Sequence, residues 1–479
     1  MNNTTLRVRF APAPTGMMHL GNVRTALMNF LMAQQQNGTF VLRIEDTDAE
    51  RNFDPGAVKI MEDLAWLGLI FTEGPGKDGG VGPYFQSERH EIYQKKLQEL
   101  IAMGNAYRCF CTTEELDKKR QRQIALKQPP RYDRTCCTLS SEESALKSHV
   151  TPFIWRVKLN REKTYKINDL SHGPVSFEMH NFSDFPLTRQ DGTVTFMFAN
   201  FVDDMMMKMT CVIRGEDHLS NTAGQAALYD MFNCPLPTFW HMPILCTIEG
   251  KKLSKRDFGF SLRDLKDAGF LPEAIVNYLA IIGGSFVQEI MSMEELIKNM
   301  NFDKVHTANT IKYDVDKLRW TNHRWISLTP LKEVTTLCKP YLHQNFPTST
   351  TLTAEQLETL IKPIHQELVT LADCVQLLAF YFDEPVLEQD IAHALMPVEH
   401  FENFKTTLTK TCLQTTPALF LSELKTISKV VGVEPRAVFS FVRYALTGRT
   451  HGIGIGELID LLGYQKSIIR IQKLLSLFE

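Results

Sequence analysis

Phe10-Ala11-Pro12-Ala13-Pro14-Thr15-Gly16-Met17-Met18-His19-Leu20-Gly21-Asn22 is the stretch on which the reading of this chain turns. Ahead of it, residues 6–10 alternate apolar and basic side chains and favour β-formers, which predicts a strand. Behind it, Val23, Ala26, Leu27, Phe30 and Leu31 recur at the spacing of one helix face. The proline- and glycine-containing segment between them reads as a turn. His19 and Gly21 therefore fall where a strand hands over to a helix N-terminus. Free backbone N–H groups and the helix dipole favour an anion there, and phosphate is the natural guest. Gly21 has no side chain, so a base or ribose can approach the backbone closely. His19 alone would pass for a surface residue or a helix cap; the surrounding string gives it weight.

The bulk numbers describe a globular chain. At 479 residues it predicts about three to five modules. With 44% hydrophobic and 22% charged residues it can build a large core, and its net charge of −3 announces no general nucleic-acid binder. Any nucleic-acid contact must come from local basic patches. No apolar run reaches the length of a membrane span, about 18 residues or more, so no membrane partner is expected. The N-terminus lacks the apolar core of a signal peptide. Ten scattered cysteines fit a reducing, cytoplasmic setting, with thiols free or on metal.

Along the chain, residues 39–44 read as a second strand after a helix, a β-α-β unit with a parallel pair and a right-handed crossover. Ligands in such sheets bind beyond the carboxyl ends of strands, which turns Glu45 toward the same crevice as His19. Asp48 reads as a helix cap. Residues 58–69 are an amphipathic helix, 72–82 a glycine-rich loop, and 86–104 lead into a helix. From 107 to about 184 the pattern changes: Cys109-Phe-Cys111, then a basic helical run with Lys118, Lys119, Arg120, Arg122 and Lys127, then Cys136-Cys137, then strands at 153–159 and 174–179. A solvated helix face explains that basic run almost as well as phosphate contacts do. Residues 195–204 read as buried strand, then helix. Residues 211–218 read as a strand whose tip carries Arg214, Asp217 and His218 into the crevice. Residues 261–283 contain helices, with Pro272 near a start. From Leu331 on, periodicity is almost wholly helical. Pro435 opens a helix with Val438, Phe439, Val442 and Leu446 on one face and Gly448 as its stop, and the last helices cover 458–462 and 468–478.

The strings Arg7-x-Arg9-Phe10-Ala11-Pro12-x-Pro14-Thr15-Gly16, His19-Leu20-Gly21-Asn22 and Arg24-Thr25-Ala26-Leu27 resemble the first nucleotide-binding signature of class I aminoacyl-tRNA synthetases. Lys252-Leu253-Ser254-Lys255-Arg256, about 230 residues later, resembles the second. A basic loop alone is weak evidence; in this order, on opposite sides of an insertion, the pair is specific. The flanking residues look like glutamyl-tRNA synthetase of the bacterial type. The resemblance implies an α/β fold: a Rossmann-like catalytic domain (1–106 and 187–240) split by an α+β acceptor-binding insertion (107–186). A stem-contact region (241–326) and an all-helical anticodon-binding half (327–385 and 386–479) would follow. Residues 327–430 match weakly, so their assignment rests on position and helix content. Because glutaminyl enzymes and archaeal or eukaryotic glutamyl enzymes read the anticodon with β-barrels, the helical C-terminal half favours the bacterial form.

The resemblance also implies a reaction. L-glutamate and ATP, with Mg²⁺ as phosphate partner, form glutamyl-adenylate, and the glutamyl group passes to the 3′ end of tRNA(Glu). Whether tRNA(Gln) is a second partner is left open; a monomer is expected. The implied catalytic set is His19, Gly21, Lys252 and Lys255. The implied ATP contacts are Gly16, His19, Gly21, Asp217, Leu245, Lys252, Ser254 and Lys255. The implied glutamate pocket is Arg9, Ala11, Ala13, Glu45, Phe196, Asn200 and Arg214. Two arginines and one carboxylate complement a substrate with two carboxylates and one ammonium group. Ala13 stands where relatives commonly have serine and Phe196 where many have tyrosine, so the hydrogen bonding of that pocket does not carry over. Cys109, Cys111 and Cys136 resemble three ligands of a zinc site found in some relatives. The family's histidine would fall on Thr138, which leaves Cys137 or Tyr132 as the fourth ligand. The rival readings are a glutaminyl-tRNA synthetase and a non-catalytic tRNA-binding paralogue. The first usually carries Pro-Pro-Glu-Pro-Asn where this chain has Ala11-Pro-Ala-Pro-Thr15. Intact His19, Gly21, Lys252 and Lys255 argue against the second.

Overall fold

A computed structural model describes residues 5–47, 54–254, 256–282, 286, 288–302, 310–396 and 398–478. Lys255 and Asp48 lie outside the described residues. The chain divides into two compact units, 1–264 with 276–315, and 265–275 with 316–479.

The first unit is α/β. Strands β1 (Arg7–Phe10) and β2 (Thr39–Leu42) pair in parallel, Arg7 opposite Thr39. The helix Leu20–Gln35 crosses between them and buries Leu20, Val23, Ala26, Leu27, Phe30 and Leu31, the spacing read from the sequence. Pairing continues past the strand ends, with Arg43 N–H donating to Phe10 O and Glu45 N–H to Pro12 O, each at 3.0 Å. Those two bonds carry Glu45 to the strand-end crevice.

Strands β3 (Ala106–Cys109) and β4 (Ile154–Val157) are antiparallel, as are β5 (Thr164–Asp169) and β6 (Gly173–Glu178). Strands β7 (Cys211–Gly215) and β8 (Thr238–Met242) are parallel, and Asp169 at the end of β5 pairs with Phe239 of β8. The sheet order is β6-β5-β8-β7, so the hairpin from within residues 107–186 extends the sheet that carries Arg214. Strand β7 lies along β1 through Thr210, whose N–H donates to Arg7 O at 3.0 Å. Strands β9 (Ile244–Cys246) and β10 (Thr310–Lys312) form a further parallel pair.

Residues 195–204 correct the strand expectation. Thr195 precedes a helix, Phe196–Met206, with no strand ahead of it beyond a single bridge of Val194 to Thr188. Phe198, Phe201 and Val202 are buried at helical spacing. A short apolar run buried on all sides does not declare its period, which explains the difference. Strands β3, β5, β8, β9 and β10 are additional to the sequence expectation; β9 and β10 are only three residues long and β5 is mostly polar.

The second unit contains no strand among its described residues. Its core is helical, with Phe401, Phe404, Phe420, Leu424, Val438 and Phe441 buried together. The helix Pro435–Thr447 starts and stops as expected; its buried face takes Phe441 and Ala445, while Phe439 is only half-buried. The final helices start earlier than periodicity suggested, at Ile455–Leu462 and Tyr464–Ser476. Buried Arg470 donates to Phe380 O (2.8 Å) and Leu446 O (2.7 Å), satisfying last-turn carbonyls of two other helices.

Two adjacent aspartates in the mostly apolar helix Phe196–Met206 are buried and tie elements of the first unit together. Asp203 accepts from Arg89 Nε (2.6 Å), Gln86 Nε2 (2.7 Å) and Tyr93 Oη (2.9 Å). Replacing Asp203 by alanine strands buried Arg89 without its carboxylate, at a cost of about 3–5 kcal/mol. Urea unfolding followed by the fluorescence of first-unit tryptophans should therefore shift to lower denaturant in Asp203→Ala; an unchanged midpoint would contradict the role of this cluster.

Candidate active site

His19 caps the helix Leu20–Gln35. Its Nδ1 accepts from Asn22 N–H at 3.2 Å, so the neutral ring carries its proton on Nε2, the nitrogen free to donate to a ligand. A Cβ on Gly21 would lie 3.1 Å from His19 Cε1 and Nδ1, so a side chain there would crowd the imidazole. Residues far along the chain complete the mouth of the crevice. Leu20 N–H donates to Phe260 O (3.0 Å) and Leu262 N–H to Met18 O (2.9 Å), and Phe260 stacks on the His19 ring at 5.3 Å. Lys252 is exposed on a turn fixed by Leu253 N–H to Leu245 O (3.1 Å), with Leu245 itself buried in β9. Burial first and then the nearby Lys252 charge hold the His19 pKa below the ordinary histidine value, against a smaller opposing effect of Asp217. The two signature strings therefore meet in space. Ser254 N–H and Oγ both donate to Asp257 at 2.8 Å. Gly16 lies in the exposed bend that precedes His19.

Deeper in the unit, side chains from five elements form one hydrogen-bonded chain. Arg214 Nη2 donates to Gln225 Oε1 (2.7 Å), Gln225 Nε2 to Asn200 Oδ1 (2.8 Å), and Asn200 Nδ2 to Glu45 Oε1 (2.8 Å). Arg43 Nη2 also donates to Glu45 Oε1 (3.1 Å), while its Nη1 donates to Asp204 Oδ1 (2.7 Å). Arg9 closes the chain with Nε on Asp204 Oδ1 (3.0 Å), Nη2 on Oδ2 (3.3 Å) and Nη1 on Ile213 O (3.1 Å). A guanidinium at one end and a carboxylate at the other leave both amides a single orientation. Burial pushes the Glu45 carboxyl above its ordinary range, against Arg43 and Arg9. Burial, then Arg9, push Arg214 down to about 10. Arg214 Nη1 is buried with no partner among the described residues. Both Glu45 bonds fall on Oε1, so Oε2 takes no bond among the described residues.

Residues 5–320 match the catalytic domain of the class I tRNA synthetases (E and Q), and residues 333–475 match an anticodon binding domain. The chain belongs to the class I aminoacyl-tRNA synthetases of the E and Q family. It is 36% identical over 481 residues to a glutamate–tRNA ligase of Bacillus subtilis, covering 98% of this chain and 99% of that one. It is 38% identical over 482 residues to that of a Sulfurihydrogenibium species, with the same coverage. A glutamate–tRNA synthetase structure from Elizabethkingia anophelis superposes with a TM-score of 0.85 at 30% identity, covering 99% of this chain and all of that one. A ligase structure from Elizabethkingia meningosepticum, solved with its amino acid, matches equally well.

Of the synthetase residues expected at the amino-acid pocket, Arg9, Glu45, Asn200 and Arg214 are joined by the chain of bonds. Ala11 runs half-buried along the backbone that holds Glu45, Ala13 is exposed, and Phe196 packs against His218 at 5.7 Å. Sequence reasoning gave no role to Arg43, Asp204, Gln225, Thr222, His241 or Asp169. The signal for Asp204 was available, since adjacent aspartates inside an apolar helix require buried cations. Asp217 follows Gly215, where a Cβ would lie 2.5 Å from the Asp217 carboxylate oxygen.

The Cys109, Cys111 and Cys136 sulfurs lie within 4.8 Å of one another. Tyr132 Oη stands 3.3 Å from Cys109 Sγ and 3.7 Å from Cys111 Sγ, and Cys111 Sγ lies 3.7 Å from Cys136 Sγ. The edge of a tetrahedron with zinc–sulfur bonds of about 2.3 Å is about 3.8 Å, so these four groups fit a zinc ion. Cys137 does not join them. It follows Cys136 in a tight helical turn, Thr135–Thr138, where successive side chains diverge by about 120°. Cys137, expected as a fourth ligand, is thus not grouped with the three sulfurs, and the Tyr132 hydroxyl is the oxygen that lies against them.

Since Lys252 depresses the His19 pKa, removing its charge makes protonation easier. Histidine NMR titration of Lys252→Ala should show His19 titrating at higher pH than in the parent protein; no movement would separate Lys252 from the His19 site.

Proposed function

We propose that this synthetase is a glutamate–tRNA ligase that activates L-glutamate with ATP and transfers it to the 3′ end of tRNA(Glu). The observation that carries the reading is the Nη1 of buried Arg214, which has no partner among the described residues and is joined through Gln225 and Asn200 to a Glu45 with an unused oxygen. An orphaned buried donor costs about 1–3 kcal/mol, and a substrate carboxylate removes that cost. Arg9 still has two N–H groups beyond the three bonds it makes. Arg214 and Arg9 thus take the two glutamate carboxylates and Glu45 takes the ammonium group, whose charge favours the ionised carboxylate against the upward push of burial. Glutamine would leave a buried guanidinium uncompensated, and sites built for one polar partner reject its absence by about 10⁴.

The α-carboxylate of glutamate attacks the α-phosphorus of ATP and pyrophosphate leaves. His19 donates from Nε2 to phosphate oxygens as charge builds, and Lys252 and Lys255 neutralise the leaving pyrophosphate. Gly16, Gly21, Asp217, Leu245 and Ser254 line the nucleotide. Mg²⁺ accompanies ATP through its phosphates. Residues 107–186 take the acceptor end of the tRNA, 241–326 its stem, and the helical residues 327–479 its anticodon. The enzyme works in the cytoplasm as a monomer.

Zinc is held by Cys109, Cys111, Cys136 and Tyr132. It ties β3 to the turn Thr135–Thr138 and takes no part in the chemistry. Elemental analysis of freshly purified protein should return about one zinc per chain, falling in Tyr132→Phe; metal-free protein that keeps its thermal stability would remove zinc from the account.

ATP–pyrophosphate exchange tests the activity. Glutamate should support exchange with tRNA(Glu) present, and His19→Ala should lose on the order of 100-fold in turnover. Exchange with glutamine would move the enzyme to the sister specificity. Absence of exchange under every condition would leave a tRNA-binding protein without catalysis.

A further inference from the structure

Arg214 is fixed on its far side by a residue outside the pocket. His241, at the end of β8, has none of its surface exposed. Its Nε2 lies 3.2 Å from Arg214 Nε and 2.9 Å from Thr222 Oγ1, and Thr222 Oγ1 in turn accepts from Arg214 Nη2 at 2.7 Å. Its Nδ1 lies 2.6 Å from Asp169 Oδ2, which also accepts the His241 backbone N–H at 3.1 Å. The other oxygen of Asp169 accepts from Ser171 and His172 N–H groups, each at 2.9 Å.

We propose that Asp169 and His241 are positioning residues for the amino-acid site, holding the Arg214 guanidinium in place by fixing His241 as the neutral, Nδ1-protonated tautomer. The inference rests on the reading that Arg214 grips a glutamate carboxylate. Arginine Nε always carries its proton and can only donate, so His241 Nε2 must hold a lone pair. The ring proton is then on Nδ1 and goes to Asp169, whose second oxygen is anchored by two backbone donors. With Nε and Nη2 of Arg214 taken by His241, Thr222 and Gln225, only Nη1 is left, and it is the atom without a partner among the described residues. The charged and titratable groups acting on the imidazole are Asp169, Arg214 and His172; burial leads, and together with Arg214 it outweighs Asp169 and keeps the ring neutral. Asp169 belongs to β5, so a strand from the segment read as acceptor-binding braces the amino-acid pocket.

The substitution Asp169→Asn separates this from a purely structural role. Its carboxamide oxygen stays with the Ser171 and His172 N–H groups, which turns the NH₂ toward His241 Nδ1. The imidazole must then accept at Nδ1 and protonate Nε2, facing one donor with another at Arg214, as happens when a triad aspartate becomes asparagine. Kinetics of tRNA-dependent glutamate activation should be compared for the parent enzyme, Arg214→Ala, Asp169→Asn, His241→Phe and His241→Gln. Asp169→Asn and His241→Phe should raise the glutamate KM about tenfold or more and leave the ATP KM within about twofold, as expected for the loss of a hydrogen bond to a charged group. His241→Gln, with a donor and an acceptor on its amide, should recover part of the loss. Nitrogen-15 histidine NMR should show His241 protonated at Nδ1 in the parent protein and at Nε2 in Asp169→Asn. Glutamate and ATP KM rising together, or an Nε2-protonated His241 in the parent, would overturn the proposal. If Arg214→Ala itself leaves the glutamate KM unchanged, the pocket reading fails, and the parent tautomer still decides whether His241 orders Arg214.

Discussion

Arg43 reaches Asp204 on one side and Glu45 on the other with none of its side chain in water, and the proposed amino-acid site is built outward from that contact. A buried guanidinium is tolerated only when anions meet it, and a buried carboxylate only when donors do. Asp204 therefore draws in Arg9 as well, and Glu45 draws in Asn200. Burial drives the Asp204 carboxyl up, but Arg9 and Arg43 together hold it below the ordinary range, so it stays charged. Neither amide of the chain is free to flip, because each sits between a committed donor and a committed acceptor. The result is a pocket ordered before any substrate arrives, in which the unmatched atoms are those a ligand must satisfy. Preorganised charge of this kind needs little rearrangement at the moment of reaction.

The nucleotide side follows a different logic. There the helix Leu20–Gln35 supplies its N-terminus, and His19 spends one ring nitrogen on capping that helix while keeping the other for a ligand. The local fold thus sets the tautomer. The backbone bonds of residues 18–20 with 260–262 join the start of this helix to residues some 240 positions later, so the proposed nucleotide site draws on both ends of the catalytic domain.

Much of this was legible in the sequence, and the reasons differ by region. The β-α-β start, His19 and Gly21, the strand leading to Arg214 and the helical second unit all carry strong local signals: clean periodicity, turn residues, or a helix start. Glu45, Asn200, Arg9 and Arg214 could be named because they fall within recognisable strings. Their connections could not. Arg43, Gln225 and Asp169 matter through partners such as Asp204, Asn200 and His241, which lie 161, 25 and 72 residues away, and nothing in a linear string announces such a partner. The strand expected at 195–204 failed because burial on every side hides the period. Cys137 was a reasonable candidate ligand until the turn at Thr135–Thr138 sent adjacent side chains apart, leaving Tyr132 to face the sulfurs.

The central claim is that the crevice is complementary in charge to glutamate, with two cationic places and one anionic place. The most direct measurement is inhibition of glutamate charging by ligands that each lack one group: glutamine, without the side-chain carboxylate; glutarate, without the ammonium; and glutamate itself in Glu45→Gln enzyme. The account predicts that every loss weakens binding by about tenfold or more, and that glutarate binds equally well to the parent and to Glu45→Gln, since its missing ammonium is the partner of Glu45. Glutamine or glutarate binding as tightly as glutamate to the parent enzyme would contradict it.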